Sequence, residues 1–480
     1  MKQNNLLVLL NSLSAKEKKW LLQFTNSPFY NRNEEVTIFL EALLKKRRSE
    51  EVDFTLIFFE GLFQKKKWST QKVYDLISFA HRLVEFFLVQ LNFREEEALQ
   101  QKMLLRELRQ RGLIRSFEKT KNKIEIARKK DCYTNDEYYH QQYLISEEID
   151  VFLVQNEPRE AYESLQEKAD SLDSFYLISK LKTACEMLNR ANIVQADYQL
   201  NLVGEVNDYL ERNVYLFKTV PATEVYYVIF KTLTVFEDET YFYQLLKLIK
   251  NHLPLFPKEE GKGLYHYAQN YCIKQINKGN SAYLKEIFGL YQEQIANDYI
   301  LQHNQITEWD YKNIITVGLR LKEYEWTENF IHRYKVKLSE STRENAYNYN
   351  LSNFYYEKGA FKQSIRLLQS VRFTDTFYNL SARFLLIKIF YEQEESEALL
   401  DQARALKAFL SRNKSVSDSQ KNGYKNLTKY TVKLNTIRDT MPKKKTITFL
   451  NRVDSIQLDI ENNNQVTNKN WLLEKVVELR

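Results

Sequence analysis

The scarcity of glycine and proline is the feature that most restricts how this chain can fold. Ten Gly and six Pro occur in 480 residues, where average usage of the two together is roughly 12%. Because tight turns depend on these residues, a chain so poor in both has few turns and long uninterrupted elements. The composition therefore favours helices over sheets, and we predict an all-α fold.

Helix-start and helix-stop signals organise the first part of the chain. Residues Ser14 to Glu17 fit a capping box, and Pro28 ends the helix that follows. Amphipathic stretches continue to about residue 100, so we predict an N-terminal helical domain over 1–100. A second capping box is predicted at Thr134 to Glu137. Long helices are then predicted over about 158–171, 174–191 and 195–212.

From Pro221 onwards, helical stretches alternate with very short breaks. Helix pairs are predicted to begin near Pro221, Lys258, Thr307, Ser341 and Thr376. A period in the mid-thirties is typical of an α-solenoid, in which each pair buries its apolar face by stacking on its neighbours. We predict α-hairpin repeats over 133–412 and C-terminal capping helices over 413–480.

One unit, from Asn345 to Val371, resembles a tetratricopeptide repeat. Ser stands where that family has small Gly and Ala residues, Gly359 suits the turn between the helices, and Asn348 occupies the place of a large residue. The residues that carry the resemblance are Leu351, Ser352, Tyr355, Gly359, Phe361, Ser364, Leu368 and Val371. The resemblance implies a right-handed solenoid of helix hairpins. Separately, Ser27 to Asn31 is similar to a segment of uncharacterised bacterial proteins, which implies no function.

The tetratricopeptide resemblance also implies a peptide groove lined by the first helix of each pair. In the best unit the groove positions are Ala346, Tyr349, Asn353 and Tyr356. Tyr and Asn side chains bind extended peptides through hydrogen bonds and flat aromatic contacts. The alternative is that terminal helices cover this face. In the following unit the same face is apolar enough to need such cover, at Ala382, Leu385 and Ile389.

No sequence motif for catalysis or cofactor binding stands out. The chain has no GxxxxGK[ST], GxGxxG or GxSxG motif, and the ExxH at Glu137 to His140 lacks the second copy that a di-iron bundle needs. The stretch Glu260 to Gly263 is interpreted as a loop and helix start. Glu147 and Glu148 are interpreted as exposed charges on a helix face. We therefore predict a non-catalytic protein without a cofactor or metal.

The cysteines and the N-terminus indicate the compartment. The three cysteines, at 132, 185 and 272, form no CxxC pair and are typical of buried thiols in a reducing environment. Cys132 follows several cations that would lower a thiol pKa. The apolar run Leu6 to Leu10 is shorter than a signal-peptide core, and no run approaches the roughly 20 apolar residues that span a bilayer. We predict a cytoplasmic protein without membrane insertion.

The basic segment over 101–132 is the one local feature whose charge stands out from the rest of the chain. Eleven Lys or Arg and three Glu between residues 102 and 130 give a net charge of +8, whereas the whole chain carries +7. Smaller clusters occur at 45–48 and 65–67. We predict a long basic helix whose candidate patch consists of Lys102, Arg106, Arg109, Arg111, Arg115, Lys119 and Lys123.

The basic segment leaves three interpretations open. It is a solvated helix between domains, a docking site for an acidic protein, or a contact for nucleic-acid phosphates. Because stacked helix pairs produce extended binding surfaces, the leading hypothesis is a helical-repeat scaffold that binds a protein or peptide. Nucleic-acid binding through residues 102–130 is the alternative.

Overall fold

The computed structural model describes residues 5–45, 55–64, 68–128, 133–156, 161–194, 197–371, 376–413 and 416–480. Within these ranges the regular secondary structure is helical, apart from one isolated bridge between Gln302 and Gln305. The prediction of an all-α fold is confirmed. The packing divides the chain into unit 1 (Met1–Thr183 and Leu202–Thr223) and unit 2 (Ala184–Asn201 and Glu224–Arg480). The four predicted sequence segments stay a prediction.

The helices of the first part of the chain begin with a strong local signal. The Ser14 hydroxyl accepts the Glu17 backbone N–H at 3.2 Å and the Glu17 carboxylate accepts the Ser14 N–H at 2.7 Å. The predicted capping box is therefore confirmed. The helices are α1 (Asn5–Ser12), α2 (Ala15–Thr25), α3 (Glu34–Lys45), α4 (Leu56–Leu62), α5 (Thr70–Glu95), α6 (Glu97–Gln110), α7 (Ile114–Arg128), α8 (Asp136–Asn156), α9 (Ala161–Val194), α10 (Val203–Arg212) and α11 (Leu216–Thr219).

The prediction of one long basic helix is wrong, because Gly112 divides it into α6 and α7. Gly112 has a φ of +68°, the left-handed region that favours glycine. The Leu113 N–H donates to the Leu108 carbonyl at 2.9 Å and the Gly112 N–H donates to the Arg109 carbonyl at 3.0 Å. This pair of hydrogen bonds is a Schellman motif, which ends α6.

Three further helix boundaries differ from the predictions. The helix predicted over about 195–212 begins only at Val203, because residues 197–202 are not helical. Helix α9 runs through the break expected near residue 172, where no glycine or proline interrupts it. Helix α8 is capped by Asn135 and not by Thr134, since the Asn135 side-chain oxygen accepts the Tyr138 N–H at 3.2 Å. Asn and Thr both cap helices, so the tertiary setting decides which of the two adjacent residues does so.

Two separate apolar cores lie among the described residues of unit 1. The first is shared by α1 to α5 and includes Leu21, Phe39, Phe59 and Phe87. The second is formed by α6, α7 and α8, where the rings of Phe117 and Phe152 stack with centroids 3.9 Å apart. Because Phe117 is fully buried, the inner face of α7 is committed to packing and only its outer face remains available for partners.

Unit 2 consists largely of consecutive helix pairs. First helices begin at Pro221, Lys258, Glu308, Arg343 and Thr376, within two residues of the predicted starts. The helices are α12 (Pro221–Thr234), α13 (Glu239–His252), α14 (Lys258–Asn277), α15 (Tyr283–Ala296), α16 (Glu308–Arg320), α17 (Tyr324–Tyr334), α18 (Arg343–Glu357), α19 (Phe361–Ser370), α20 (Thr376–Glu392), α21 (Ser396–Arg412), α22 (Asp418–Asp439), α23 (Ile447–Glu461) and α24 (Lys469–Leu479), with single 3₁₀ turns at Leu253–Leu255 and Lys335–Lys337.

The unit that resembles a tetratricopeptide repeat, α18 and α19, packs as its small residues suggest. The Ser364 hydroxyl donates to the Ser352 carbonyl at 2.8 Å, and both serines are fully buried. Gly359, with a φ of +71°, forms the turn between the helices. The Ala360 N–H donates to the Tyr355 carbonyl at 2.8 Å, which closes the end of α18.

Candidate interaction surfaces

The basic residues of α6 are neutralised by carboxylates on α8. Arg106 Nε donates to one Glu148 carboxylate oxygen at 2.7 Å, and Arg109 Nη2 donates to the other at 2.9 Å. Lys102 lies 3.7 Å from Glu147. Three of the seven predicted patch residues therefore help to attach α6 to α8.

Glu148 is the residue that the sequence interpretation misplaced. We expected an exposed charge on a helix face, but its side chain is only 3% exposed. Burial by itself raises the pKa of this carboxyl. The hydrogen bonds from Arg109 and Arg106 outweigh burial, so the pKa of Glu148 lies below its usual value. Both arginines are distant from Glu148 in sequence, so no local sequence pattern predicts this contact.

The basic residues of α7 have a different environment. Arg115, Lys119 and Lys123 are exposed and form no ion pair among the described residues. Spaced four residues apart, they lie on one face of the helix. Ile126, which is 60% exposed, lies on this face as well. We call these four residues the α7 stripe.

The other charges near the α7 stripe are mostly paired within their own helix. Arg111, the one patch residue not yet described, is the C-cap of α6 and contacts Glu107 at 2.8 Å. Lys121 lies 3.8 Å from Glu125. Glu118 is an exposed carboxylate on the shoulder of the stripe. The structure thus reduces the predicted seven-residue patch to three unpaired cations.

The predicted groove positions of α18 lie inside unit 2. Tyr349 and Tyr356 are 7% and 9% exposed, and Asn353 is half-buried. The Asn353 side chain donates to the Tyr349 carbonyl at 3.0 Å, and the Tyr349 ring packs edge-on against Tyr378 at 5.5 Å. Burial raises the pKa of Tyr349 to about 12. The matching face of α20, at Ala382, Leu385 and Ile389, is also buried.

Helix α24 contributes to this burial through a polar network. The Tyr356 hydroxyl donates to Glu392 at 3.1 Å, and Lys475 of α24 contacts the same carboxylate at 2.8 Å. Trp471 of α24 packs edge-on against Tyr391 at 5.6 Å. Since Trp471 and Leu472 belong to the apolar core of this part of unit 2, the C-terminal helix is a structural member of that core.

The residues weighed for chemistry have ordinary surroundings. Cys185 and Cys272 are buried, and burial raises the pKa of both thiols; Cys132 lies outside the described residues. His140 stacks on Phe175 at 4.7 Å. Gly261 is inside α14, where an added Cβ would meet the Tyr299 ring at 2.5 Å. Among the described residues there is no group of three or more metal-ligating side chains.

Helix α5 is unusually apolar along its length. It is the one described helix long and apolar enough to cross a membrane by those criteria alone, with a mean hydropathy of 1.2 over 18 residues. A count of consecutive apolar residues does not identify α5 as such a helix, because Arg82 and Glu85 interrupt its apolar stretch. Its inner face belongs to the core of α1 to α5.

No protein-family model matches the chain. Neither a curated protein nor a solved structure is significantly similar to it. The candidate surfaces are therefore judged by their own geometry and charge.

Proposed function

We propose that this protein is a non-catalytic helical scaffold that binds an acidic segment of another protein on the α7 stripe. The observation that carries the proposal is the exposed, unpaired state of Arg115, Lys119 and Lys123 beside cations that are paired. The cations that attach α6 to α8 are ion-paired. The three cations of the stripe attach no helix through an ion pair among the described residues.

The packing of unit 2 supports the scaffold part of the proposal. Besides its neighbours in sequence, α18 contacts α16 and α20, and α20 contacts α22. First helices that touch the first helices of adjacent pairs are what a tetratricopeptide-like stack requires. We propose a right-handed arrangement of this kind for unit 2. Because Tyr349 and Tyr356 are buried, the partner surface is assigned to the α7 stripe and not to this face.

The composition of the stripe favours an acidic protein over nucleic acid. Consecutive cations four residues apart are about 6 Å apart along the axis, which matches carboxylates with the same spacing on a partner helix. Ile126 adds an apolar contact that a phosphate backbone does not use. With three free cations among the described residues of α7, the stripe is also small for a non-specific nucleic-acid contact.

The test is a pull-down with the immobilised full-length protein, with and without nuclease treatment. The variant Arg115→Glu/Lys119→Glu/Lys123→Glu reverses the stripe. The matched control Lys443→Glu/Lys444→Glu/Lys445→Glu makes the same charge change at three exposed lysines of unit 2. We expect the stripe variant to retain at most about a tenth of the captured protein, since reversed charges repel an acidic partner. The control and the nuclease-treated wild type should retain it.

Two results would overturn this assignment. If nuclease treatment abolishes capture, and the protein binds a labelled DNA duplex or single-stranded RNA with a stripe-dependent affinity, the stripe is a nucleic-acid contact. If the stripe variant and the control capture the same proteins equally, the stripe is only a solvated helix face. Circular dichroism of all variants checks that each one is folded.

A further inference from the structure

A cleft in unit 2, which we call the α20–α21 cleft, has no role in the proposed function. It lies between α20 and α21, at the end away from the short turn that joins them. Its volume is about 590 Å³, within the range of roughly 300–1,000 Å³ that is usual for small-molecule sites. The described residues that line it are Arg383, Ala405, Ala408, Phe409, Arg412 and Asn413. The cleft is therefore large enough for a small organic ligand.

Two guanidinium groups give the cleft a positive charge. Arg383 belongs to α20 and Arg412 to the last turn of α21, and no carboxylate is among the described residues of the lining. Asp401, on the same face of α21 as Ala405, is held by Arg404 in an ion pair. The free carbonyls at the end of α21 carry only about half a negative charge. Because two full positive charges outweigh them, the cleft favours an anion.

Arg383 is held in position by side chains of its own hairpin. Its Nε donates to the Asn379 side-chain oxygen at 2.6 Å, and its guanidinium lies over the Phe409 ring, 5.4 Å from the ring centroid. Burial lowers the pKa of Arg383 because the charge loses hydration, although an arginine stays charged at neutral pH. An anion in the cleft therefore meets a cation that is already oriented, which lowers the entropic cost of binding.

Arg412 supplies the second charge from the opposite helix. It is exposed, forms no ion pair among the described residues and lies one helical turn beyond Ala408. Guanidinium groups bind phosphate oxygens through paired hydrogen bonds. A phosphate monoester carries a charge of about −1.5 to −2 at neutral pH. Two arginines match that charge better than they match the single charge of a carboxylate.

The apolar part of the lining indicates what else the ligand carries. Ala405 and Ala408 have short side chains that leave room, and Phe409 contributes a flat apolar ring. The Arg383 guanidinium that stacks on this ring is also planar and extends the flat surface. Aromatic rings pack favourably on such surfaces. Inorganic phosphate alone would leave most of the cleft empty, so an aromatic group attached to the phosphate fits the lining better.

We propose that the α20–α21 cleft binds a small phosphate monoester that carries an aromatic ring. The phosphate lies between Arg383 and Arg412, and the ring packs against Phe409 and Ala408. The cleft shares no residue with the α7 stripe, so either proposal stands if the other fails.

The test is isothermal titration calorimetry of the full-length protein with two such esters, phenyl phosphate and adenosine 5′-monophosphate. Inorganic phosphate and adenosine each lack one half of the ligand. At least one ester should bind at least about tenfold more tightly than inorganic phosphate, because its ring buries apolar surface. Adenosine should not bind measurably, since it offers no charge to the arginines. The tighter of the two esters then tells whether the ring is a nucleobase or a simple aryl group.

Three variants locate the binding. Arg412→Gln removes one of the two charged contacts and should weaken ester binding at least about tenfold. Arg320→Gln is the matched control and should bind as the wild type does, because Arg320 is also exposed in the last turn of a helix of unit 2 but does not line the cleft. Ala408→Phe fills the space for the ring, so it should remove the preference for the ester over inorganic phosphate.

Three results would overturn the proposal. The first is that neither ester binds more tightly than inorganic phosphate. The second is that adenosine binds as tightly as adenosine 5′-monophosphate. The third is that Arg412→Gln and Arg320→Gln change ester binding equally. Circular dichroism of each variant checks that it is folded.

Discussion

Helices α6 and α7 come from one basic segment of sequence, yet their cations have opposite roles. On α6, Arg106 and Arg109 surround the buried carboxylate of Glu148. On α7, Arg115 and Lys119 point to solvent without an ionic partner among the described residues. A run of like charges is therefore not one surface. Its members divide according to which of them reach a carboxylate on the neighbouring helix.

The two helices teach that charge density is a weak guide to a binding site. Because Arg106 and Arg109 of α6 are paired with Glu148, their charges are not available to a partner. Because α6 ends at Gly112, the direction in which the side chains of α7 face is not fixed by α6. Variants that disturb the two helices separately can break this distinction or sharpen it.

The largest effect is expected from the inner face of α7. Phe117→Ala removes a fully buried ring that stacks on Phe152, and such truncations cost about 3–5 kcal/mol. Urea unfolding of the full-length protein, followed by circular dichroism, measures the loss. Ile126→Ala on the outer face is the control and should change the unfolding free energy by less than about 0.5 kcal/mol. Equal effects would mean that α7 has no outer face free for a partner.

A somewhat smaller effect is expected from the ionic contact of α6. Arg106→Ala/Arg109→Ala leaves the Glu148 carboxylate buried without a cation, and losing one side of a buried pair costs about 3 kcal/mol. Arg115→Ala/Lys119→Ala removes the same charge from α7 and should cost less than about 0.5 kcal/mol. The same unfolding experiment compares them. If both double variants lose equal stability, the division into paired and unpaired cations is wrong.

The smallest effect is a change with pH. Because the folded protein holds the pKa of Glu148 below the ordinary value of 4.5, its contribution is complete well above that value and is lost as the pH falls. The stability advantage of the wild type over Glu148→Gln should therefore shrink between about pH 6 and about pH 3. Unfolding curves at several pH values measure it. An advantage that grows on acidification would contradict the assigned ion pair.

Local signals predicted much of the fold. The capping box at Ser14, the turn at Gly359 and the starts of the helix pairs in unit 2 depend on residues within a few positions of one another. Predictions were wrong where two local solutions compete, as at Thr134 and Asn135. They were also wrong where a glycine was passed over, as at Gly112, although that signal was present in the sequence.

The candidate site was predicted only in part. The sequence singled out all seven patch residues, but the paired state of Lys102, Arg106 and Arg109 depends on Glu147 and Glu148, about forty residues away. The outer face of α5 carries exposed apolar side chains such as Phe86 and Val89. Without a structure, however, nothing distinguishes its outer face from the equally apolar face that packs in the core.

The sequence by itself determined that this chain is helical, because sparse glycine and proline, capping residues and amphipathic spacing act over single turns of helix. The tertiary structure alone decided which charges are neutralised, which tyrosines of α18 are buried and which face of α5 is left uncovered. Those outcomes arise from contacts between helices distant in sequence. Their free energies depend on distance and burial, which are properties of the packed helices and not of a local pattern.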